Sequence, residues 1–283
     1  MQIARTIAEM RAAVRALRSP RRAVGFVPTM GALHDGHRSL MRAARERCDV
    51  VAASIFVNPA QFGPNEDFSR YPRTFEADCR MLEAERVDIL YAPTVEEMYP
   101  AGTSTVVRVE GISDRLDGVS RPGHFHGVAT VVAKLFNIVQ PDIAFFGQKD
   151  AAQVAVLRRM VRDLNMPLEL AVCPTLRESD GLAMSSRNRY LSPEERQQSL
   201  VLSRALQAVE SLAKNGEQNA SRLLEAMQQV FRTQPTVRID YLEVVDPATL
   251  LPVENTRLGT LVAVAAYVGA TRLIDNLLLP PTA

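Results

Sequence analysis

Cysteine is scarce in this chain. Cys48, Cys79 and Cys173 are the three cysteines among 283 residues, they lie far apart, and no CxxC pair occurs. This pattern argues against both a disulfide framework and a cysteine-based zinc site. Thiols without disulfide spacing suit a reducing compartment, so we expect a cytoplasmic protein.

Long hydrophobic runs and an excess of one charge are also missing. No apolar run reaches the roughly 18 residues that a membrane helix needs. Residues 1–22 place apolar and basic side chains at helical spacing, without the apolar core of a secretory signal. With 33 basic and 32 acidic residues the formal net charge is +1, which predicts no surface for nucleic acid or an anionic membrane.

The common nucleotide-binding and hydrolase signatures are absent as well. The sequence has no GxGxxG for a dinucleotide, no GxxxxGK[ST] for a nucleoside triphosphate and no GxSxG for a hydrolase. If the chain binds ATP, it does so through a different motif. Lysine is rare too, with Lys134, Lys149 and Lys214 as the three occurrences, so a lysine in a polar loop is mildly informative.

Up to about residue 175 the sequence alternates strand-like and helix-like patterns. Continuously apolar runs such as RRAVGFVPT and DVVAASIFV are separated by helical patterns such as RSLMRAARER and GVATVVAKLFNIV. Such an alternation predicts a Rossmann-like α/β domain, a parallel sheet with helices on both faces.

The pattern changes after that point. A helix that opens with Ser192, Pro193 and Glu195 as a capping box and a second helix precede three strand-like runs, VRIDYLEVVD, GTLVAVAAYV and TRLIDNLLL. Helices followed by consecutive strands indicate a smaller α+β domain. We therefore predict one domain over residues 1–176 and a second over 177–283.

Polar loops follow four of the predicted strands. They are PTMGALHDGH (28–37), NPAQFGPNEDF (58–68), GQKD (147–150) and PTLRESDGLAMSSRNRYL (174–191). Each contains glycine and little that would pack in a core. Because ligands bind beyond the carboxyl ends of parallel strands, these loops are the predicted binding site.

The first loop places His34 and His37 three residues apart at the expected start of a helix, so both can address one ligand. A helix N-terminus attracts anions, and imidazole donors suit phosphate oxygens whose charge grows during reaction. Two alternatives stay open at this point. The histidines are a surface pair, or they form a metal site with His124 and His126.

The GQKD loop also has two interpretations. Gly147 allows close approach of a ligand, Lys149 offers a charge for phosphate, and Asp150 offers a carboxylate for ribose hydroxyls. The structural alternative is an ordinary strand-to-helix turn capped by Asp150.

The two remaining loops also have two interpretations each. Ser185, Ser186 and Arg187 in MSSRN suit a phosphate clamp or form a plain turn. Asn58 and Gln61 in NPAQF orient a small polar substrate or cap the backbone of a proline turn.

A histidine pair after the first strand, with a late loop of serine and basic residues, resembles the HIGH and KMSKS signatures of the nucleotidyl-transferring superfamily. Within it, four stretches resemble the pantoate–β-alanine ligase (pantothenate synthetase) family. They are PTMGALHDGH (28–37), FVNPAQFGPNEDFSRYPRT (56–74), FFGQKDAAQ (145–153) and DGLAMSSRNRYL (180–191). They occur in order between about residues 24 and 191, and the helix-then-strand tail suits that family's C-terminal domain.

The resemblance implies an ATP-dependent ligase that makes pantothenate for coenzyme A biosynthesis. Pantoate would attack the α-phosphorus of Mg-ATP and release pyrophosphate, and β-alanine would then displace AMP from the pantoyl adenylate. Catalysis would rest mostly on positioning and charge stabilisation, because no covalent enzyme intermediate is needed. The implied cofactors are ATP and Mg²⁺, and the implied assembly is a homodimer.

The resemblance also implies residue roles in ATP chemistry. His34, His37, Lys149 and Arg187 would be catalytic, with His37 as the proton donor. The first domain would bind nucleotide and pantoate, and the second would carry the MSSR loop over the pyrophosphate. The implied ATP-binding residues are Met30, Gly31, Ala32, Leu33, His34, Asp35, Gly36, His37, Gly147, Gln148, Lys149, Asp150, Leu176, Met184, Ser185, Ser186 and Arg187.

The implied substrate site contains three amide side chains. Gln61 and Gln153 would hold pantoate, Gln61 would also border the β-alanine site, and Asn58 would orient the substrate. Magnesium would be held mainly by ATP oxygens. Asp78 is a candidate ligand for it, with a solvated helix carboxylate as the alternative.

Other functions fit parts of the sequence. A nucleotidyl transferase with a phosphorylated or pyridine-type acceptor shares the histidine pair, but it does not predict glutamines after NPA and GQKDAA. An adenylate-binding module without turnover predicts ATP binding and no pyrophosphate release. A tRNA-charging enzyme needs an RNA-binding surface, which a near-neutral chain does not provide.

Overall fold

The structure is a computed structural model that describes residues 1–64 and 66–279. Asn65, within one of the family-like stretches, and residues 280–283, at the end of the predicted second domain, lie outside the described residues. The chain divides into two units. The first consists of Met1–Ser113, Arg121–Gly147 and Val156–Pro174, and the second of Asp114–Ser120, Gln148–Ala155 and Thr175–Ala283.

The described part of the first unit contains a six-stranded parallel sheet. Its strands are β1 (Gln2–Ala4), β2 (Val24–Thr29), β3 (Val50–Ile55), β4 (Ile89–Tyr91), β5 (Ile143–Gly147) and β6 (Glu169–Cys173). Their order is β1-β4-β3-β2-β5-β6. Adjacent residues of β2 and β3 are buried in succession, as expected for strands covered on both faces.

Helices connect these strands and cover the two faces. They are α1 (Ile7–Leu17), α2 (Asp35–Arg47), α3 (Phe75–Ala84), α4 (Val95–Met98), α6 (His124–Val139) and the part of α7 (Ala151–Asp163) that belongs to this unit. On one face, Met41 of α2 and Leu82 of α3 join Val27 in a buried cluster. On the opposite face, α6 packs on β2, and its Phe136 meets Phe146 edge to face.

The strand order places the switch point between β2 and β5. From β2 the chain proceeds to β3 and β4 on one side, while β5 and β6 lie on the other. β2 and β3 pair in register from Val24–Val50 to Thr29–Ile55. The segments that follow Thr29 and Ile55 therefore leave the sheet side by side, where open parallel sheets bind ligands.

The second unit combines two long helices with an antiparallel sheet. Its elements are α5 (Asp117–Ser120), α8 (Pro193–Lys214), α9 (Ala220–Phe231), β7 (Arg238–Val245), β8 (Leu261–Val268) and β9 (Thr271–Leu278). The order β7-β8-β9 makes β9 an edge strand of this sheet, as far as the described residues show it. Val209 of α8, Met227 of α9 and Val264 of β8 belong to one buried core.

The predicted fold class is confirmed, a Rossmann-like parallel sheet with helices on both faces followed by a smaller α+β part. The capping box is confirmed too, because Ser192 and Glu195 each accept the other's backbone N–H. The division at 176/177 stays a prediction, and the second unit also includes residues 114–120 and 148–155. Within 1–64 and 66–279, no helix is long and apolar enough to span a bilayer.

Two details at the start of the chain go beyond the sequence pattern. The helical spacing within residues 1–22 corresponds to α1, and the strand β1, which pairs with β4, precedes it. The helix after the first strand starts at Asp35, within HDGH, and His34 caps it.

Candidate active site

A buried carboxylate holds the turn that follows β2. Gly31 and Ala32 adopt left-handed conformations, with φ of +80° and +50°. Asp78 of α3 is 2% exposed, and it accepts hydrogen bonds from the backbone N–H groups of Ala32 (2.9 Å) and Leu33 (2.8 Å). The Thr74 hydroxyl donates to the same carboxylate (3.1 Å). The protein itself therefore fixes the shape of this turn, and Asp78 is not the solvated carboxylate considered as an alternative.

Glycine is required at the second position of the turn. A Cβ at Gly31 would lie 3.0 Å from Asp78 Oδ2 and 3.1 Å from Ile55 Cγ2, and a positive φ already disfavours a side chain. The Gly31 N–H donates to Thr29 Oγ1 (3.1 Å), and the Thr29 hydroxyl donates to the carbonyl oxygen of Ser54 (2.7 Å). The turn is thus anchored to the end of β3.

His34 and His37 form a reciprocal cap at the start of α2. His34 Nδ1 accepts from the N–H of Gly36 (3.2 Å), and His37 Nδ1 accepts from the N–H of His34 (3.3 Å). The ring centroids are 4.2 Å apart. An Nδ1 that accepts a hydrogen bond carries no proton, so each neutral ring is protonated on Nε2. In this form each ring presents an Nε2–H group at the positive end of a helix.

The two amide side chains after β3 are buried and bonded to each other. Asn58 is 1% exposed and Gln61 8% exposed. Asn58 Nδ2 donates to Gln61 Oε1 (3.0 Å), and Gln61 Nε2 contacts Met30 Sδ (3.1 Å). Asn58 Oδ1 accepts from the hydroxyl of Tyr99 (2.8 Å), whose pKa burial raises to about 12. Gln61 is therefore oriented beside the turn that carries Met30.

The proline-turn alternative for NPAQF is partly right. Asn58 Oδ1 caps the short 3₁₀ turn Pro59–Gln61 by accepting from the N–H of Ala60 (3.2 Å). The same amide nevertheless also orients Gln61, so capping and side-chain positioning occur together.

Sequence reasoning missed two residues that hold the Gln61 backbone. His124 Nδ1 donates to the Gln61 carbonyl oxygen (2.8 Å), and Arg121 donates to His124 Nε2 (3.0 Å). This fixes the histidine tautomer, because arginine has no acceptor. Arg121 also pairs with Glu66 at 2.6 Å. Burial tends to raise the pKa of Glu66, but the bonds from Arg121 outweigh it and the pKa is lowered.

The metal alternative for the histidines finds no support. Both ring nitrogens of His124 are engaged in the hydrogen bonds just described. Across residues 1–64 and 66–279, no group of three or more histidine, cysteine, aspartate and glutamate side chains is arranged to hold a metal ion.

In the GQKD loop, Gly147 ends β5 of the first unit, and Gln148–Asp150 of the second unit form a 3₁₀ turn. Lys149 Nζ lies 3.6 Å from Asp150 Oδ1. Asn276 of β9 donates to the carbonyl oxygens of both Gln148 and Lys149. Nothing in the sequence pattern pointed to this asparagine.

The loop that leads to MSSR is a short hairpin in the same unit. The Leu176 carbonyl oxygen accepts from the N–H of Met184 (3.0 Å), and the Leu176 side chain is 40% exposed. Ser185 then caps the 3₁₀ turn Ser186–Tyr190, and its hydroxyl oxygen accepts from the N–H of Arg187 (3.3 Å). The residues from Met184 to Arg187 are half-buried.

Two groups of the predicted site residues are held by the contacts above, one in each unit. In the first unit, the turn of residues 30–37 lies against Gln61 and Asp78. In the second, residues 148–150 and the 176–184 hairpin each bond to β9. Gln153 is half-buried near the start of α7.

A family model described as pantoate-beta-alanine ligase matches residues 2–278. The chain belongs to the pantoate–β-alanine ligase family. The pantothenate synthetase of Acidobacterium capsulatum is 66% identical over 100% of this chain and 98% of its own length. That of Thermotoga petrophila is 57% identical over 99% of this chain and 100% of its own length.

Solved structures agree with this membership. The pantothenate synthetase of Thermus thermophilus is 51% identical, with a TM-score of 0.94 over 99% of this chain and 100% of that chain. The pantoate-beta-alanine ligase of Francisella tularensis, solved complexed with beta-gamma ATP and beta-alanine, is 33% identical. Its TM-score is 0.80 over 98% of this chain and 97% of that one.

The resemblance drawn from the four stretches is therefore confirmed, and the enzyme is a ligase that joins pantoate to β-alanine in pantothenate biosynthesis. The activity assigns no role to individual side chains by itself.

Proposed function

We propose that the enzyme activates pantoate with ATP and then passes the pantoyl group to β-alanine. A carboxylate oxygen of pantoate bonds to the α-phosphorus of ATP, the bond from that phosphorus to the bridging oxygen breaks, and pyrophosphate leaves. The amine of β-alanine then attacks the pantoyl carbonyl carbon, loses a proton and displaces AMP. The products are pantothenate, AMP and pyrophosphate.

The observation that carries this proposal is the fixed turn of residues 30–37. Its backbone is clamped by Asp78, and it ends in two imidazoles protonated on Nε2 at a helix N-terminus. Donors held in place before reaction stabilise charge that grows on phosphate oxygens. We assign His34 and His37 to the phosphates of ATP. The expected proton donation by His37 becomes hydrogen-bond donation from its Nε2–H, because a neutral imidazole does not release that proton.

We assign positive charge and ribose contacts to residues 148–150 and 184–187. We assign Lys149 and Arg187 to the phosphates, because an ammonium and a guanidinium both bind phosphate. Asp150 is assigned to the ribose hydroxyls. The remaining ATP assignments are Gly147, Gln148, Leu176, Met184, Ser185 and Ser186.

Pantoate is assigned to Gln61 and Gln153. Gln61 carries the stronger structural support, because Asn58 bonds to its side-chain oxygen and His124 to its backbone carbonyl. A glutamine fixed in this way can discriminate hydroxyl and carboxylate groups, since an unpaired buried amide is costly. We place β-alanine next to Gln61.

Magnesium enters with ATP as part of the substrate. Among the residues that the structure describes no set of three candidate ligands converges, and hard cations bound to phosphates need few protein ligands. The expected contribution of Asp78 does not fit its contacts, because the buried carboxylate accepts three hydrogen bonds from protein donors. We assign Asp78 to the turn instead.

The remaining assignments concern the molecule as a whole. The three cysteines are free, which supports a reducing cytoplasm. We propose a homodimer that acts on small molecules, without nucleic acid or membrane partners. We also propose a nucleotide- and pantoate-binding domain over residues 1–176 and a smaller domain over 177–283.

Pyrophosphate release from Mg-ATP tests the two-step reaction. With pantoate and no β-alanine, we expect a burst stoichiometric with enzyme, and with β-alanine added, steady turnover to AMP and pantothenate. Omission of pantoate is the control and should give no burst. A folded protein that binds ATP but releases no pyrophosphate with pantoate would contradict the adenylate step.

A further inference from the structure

Asn276 of β9 is buried against the predicted lysine turn. It is 5% exposed, and its Nδ2 donates to the carbonyl oxygens of Gln148 (2.9 Å) and Lys149 (2.8 Å). Its Oδ1 accepts from Gln148 Nε2 (3.0 Å). One amide thus satisfies two backbone carbonyls and one side chain of the same turn, which fixes the backbone from which the Lys149 side chain extends.

The neighbouring Asp275 holds the hairpin that leads into the MSSR loop. It is 2% exposed and binds Arg177 through two bonds, at 2.6 Å and 3.0 Å. Arg177 also donates to the Gly181 carbonyl oxygen (3.1 Å), and it bridges to Ala183 across the hairpin. The residue after Ala183 is the first of the four assigned to ATP in this loop.

The two β9 residues are linked as well as adjacent. Asp275 Oδ1 accepts from the N–H of Asn276 (2.8 Å) and from Arg177. A hydrogen-bonded chain therefore runs from the hairpin through β9 to the turn of residues 148–150, and all of it lies in the second unit.

We propose that Asp275 and Asn276 are positioning residues for ATP, because one strand sets the geometry of both loops assigned to the nucleotide. The inference rests on the proposed assignment of residues 148–150 and 184–187 to ATP. Stability alone does not account for the ion pair between Asp275 and Arg177, since a buried ion pair is often no more stabilising than apolar side chains of similar size. Fixed geometry at a phosphate site is what such a pair supplies.

The test is Asn276→Asp, which keeps the size of the side chain but removes both N–H donors. Two carbonyl oxygens of the turn would then face a carboxylate, and Lys149 would lose its fixed backbone. Because two buried hydrogen bonds are lost, we expect the KM for ATP to rise about ten-fold or more. We also expect kcat to fall and the KM for β-alanine to stay close to its wild-type value.

The matched control is Asn219→Asp in the same unit. Asn219 caps α9 by accepting from the N–H of Arg222, and aspartate caps a helix as well as asparagine does. The control should therefore leave both KM values unchanged. Circular dichroism and thermal melting check that each variant is folded.

A folded Asn276→Asp enzyme with a wild-type KM for ATP would overturn the proposal, even if its melting temperature were lower. If that variant does not fold, Asp275→Asn serves instead, because it keeps the shape and weakens the hold on Arg177. An unchanged KM for ATP there would overturn the proposal too. Absence of pantoate-dependent pyrophosphate release from the wild-type enzyme would instead contradict the proposed function.

Discussion

The sharpest prediction concerns Asp78→Asn. Both oxygens of Asp78 accept backbone N–H groups, from Ala32 and Leu33. Asparagine has the same size, so packing around α3 is retained. One oxygen becomes an NH₂ group, however, and it must face an N–H donor of the turn.

The expected magnitude follows from those two bonds. A hydrogen bond to a charged group contributes about 1.5–3 kcal/mol, and an unsatisfied buried donor costs about 1–3 kcal/mol. We therefore expect a loss of about 2–3 kcal/mol in the free energy of unfolding, which a domain with about 5–15 kcal/mol of stability survives. If ATP must restore the turn as it binds, kcat/KM for ATP falls roughly 30- to 150-fold.

Two assays separate the causes of such a loss. Urea unfolding measures the free-energy change, and pyrophosphate release at varied ATP measures kcat/KM. Glu76→Gln is the matched control, since Glu76 is an exposed carboxylate on the same helix. Equal behaviour of the two variants in both assays would refute the reasoning. Rescue of Asp78→Asn by excess Mg²⁺ would indicate metal ligation instead.

Three further predictions test the same site. His37→Ala should lower pyrophosphate release about a hundred-fold or more while the protein stays folded, and wild-type release from the folded variant would refute the assignment of His37 to the phosphates. Lys149→Arg should lower the rate because a planar guanidinium does not replace a compact ammonium; full activity would show that only charge matters. Glu66→Gln should flatten the acid side of the stability–pH curve measured by urea unfolding. The pKa of Glu66 is lowered from its ordinary 4.5, so its contribution is present above that value and is lost as the pH falls through the folded-state pKa. A curve that keeps its shape would contradict this.

The parallel sheet could be predicted because its central strands have a recognisable sequence pattern. β2 and β3 are covered on both faces, so they appear in the sequence as continuous apolar runs separated by helical periods. β1 could not be predicted in this way. It has three residues, too few for a period, and its pairing with β4 decides its conformation.

The loops of the site could be predicted from position, and their supports could not. Polar residues at the ends of the predicted strands indicate His34, Gln61 and Lys149 as site residues. His124 and Arg121 act on a backbone carbonyl of Gln61, and a backbone group leaves no mark in the sequence at the position it occupies. Side chains that bind backbone are therefore found from structure.

Two supporting carboxylates, Asp78 and Asp275, are nevertheless visible in the hydrophobic periodicity of α3 and β9. Asp78 and Leu82 are the buried positions of α3, four residues apart on one face, so the carboxylate stands where an apolar residue would be expected. In β9, Thr271, Leu273 and Asp275 alternate as the buried side of the strand. Aspartate is rarely buried without a partner, because desolvating its charge is costly. A carboxylate in an apolar period therefore predicts donors fixed nearby. In both cases those donors belong to, or lead into, a loop assigned to ATP, so losing either carboxylate should weaken ATP use more than β-alanine use.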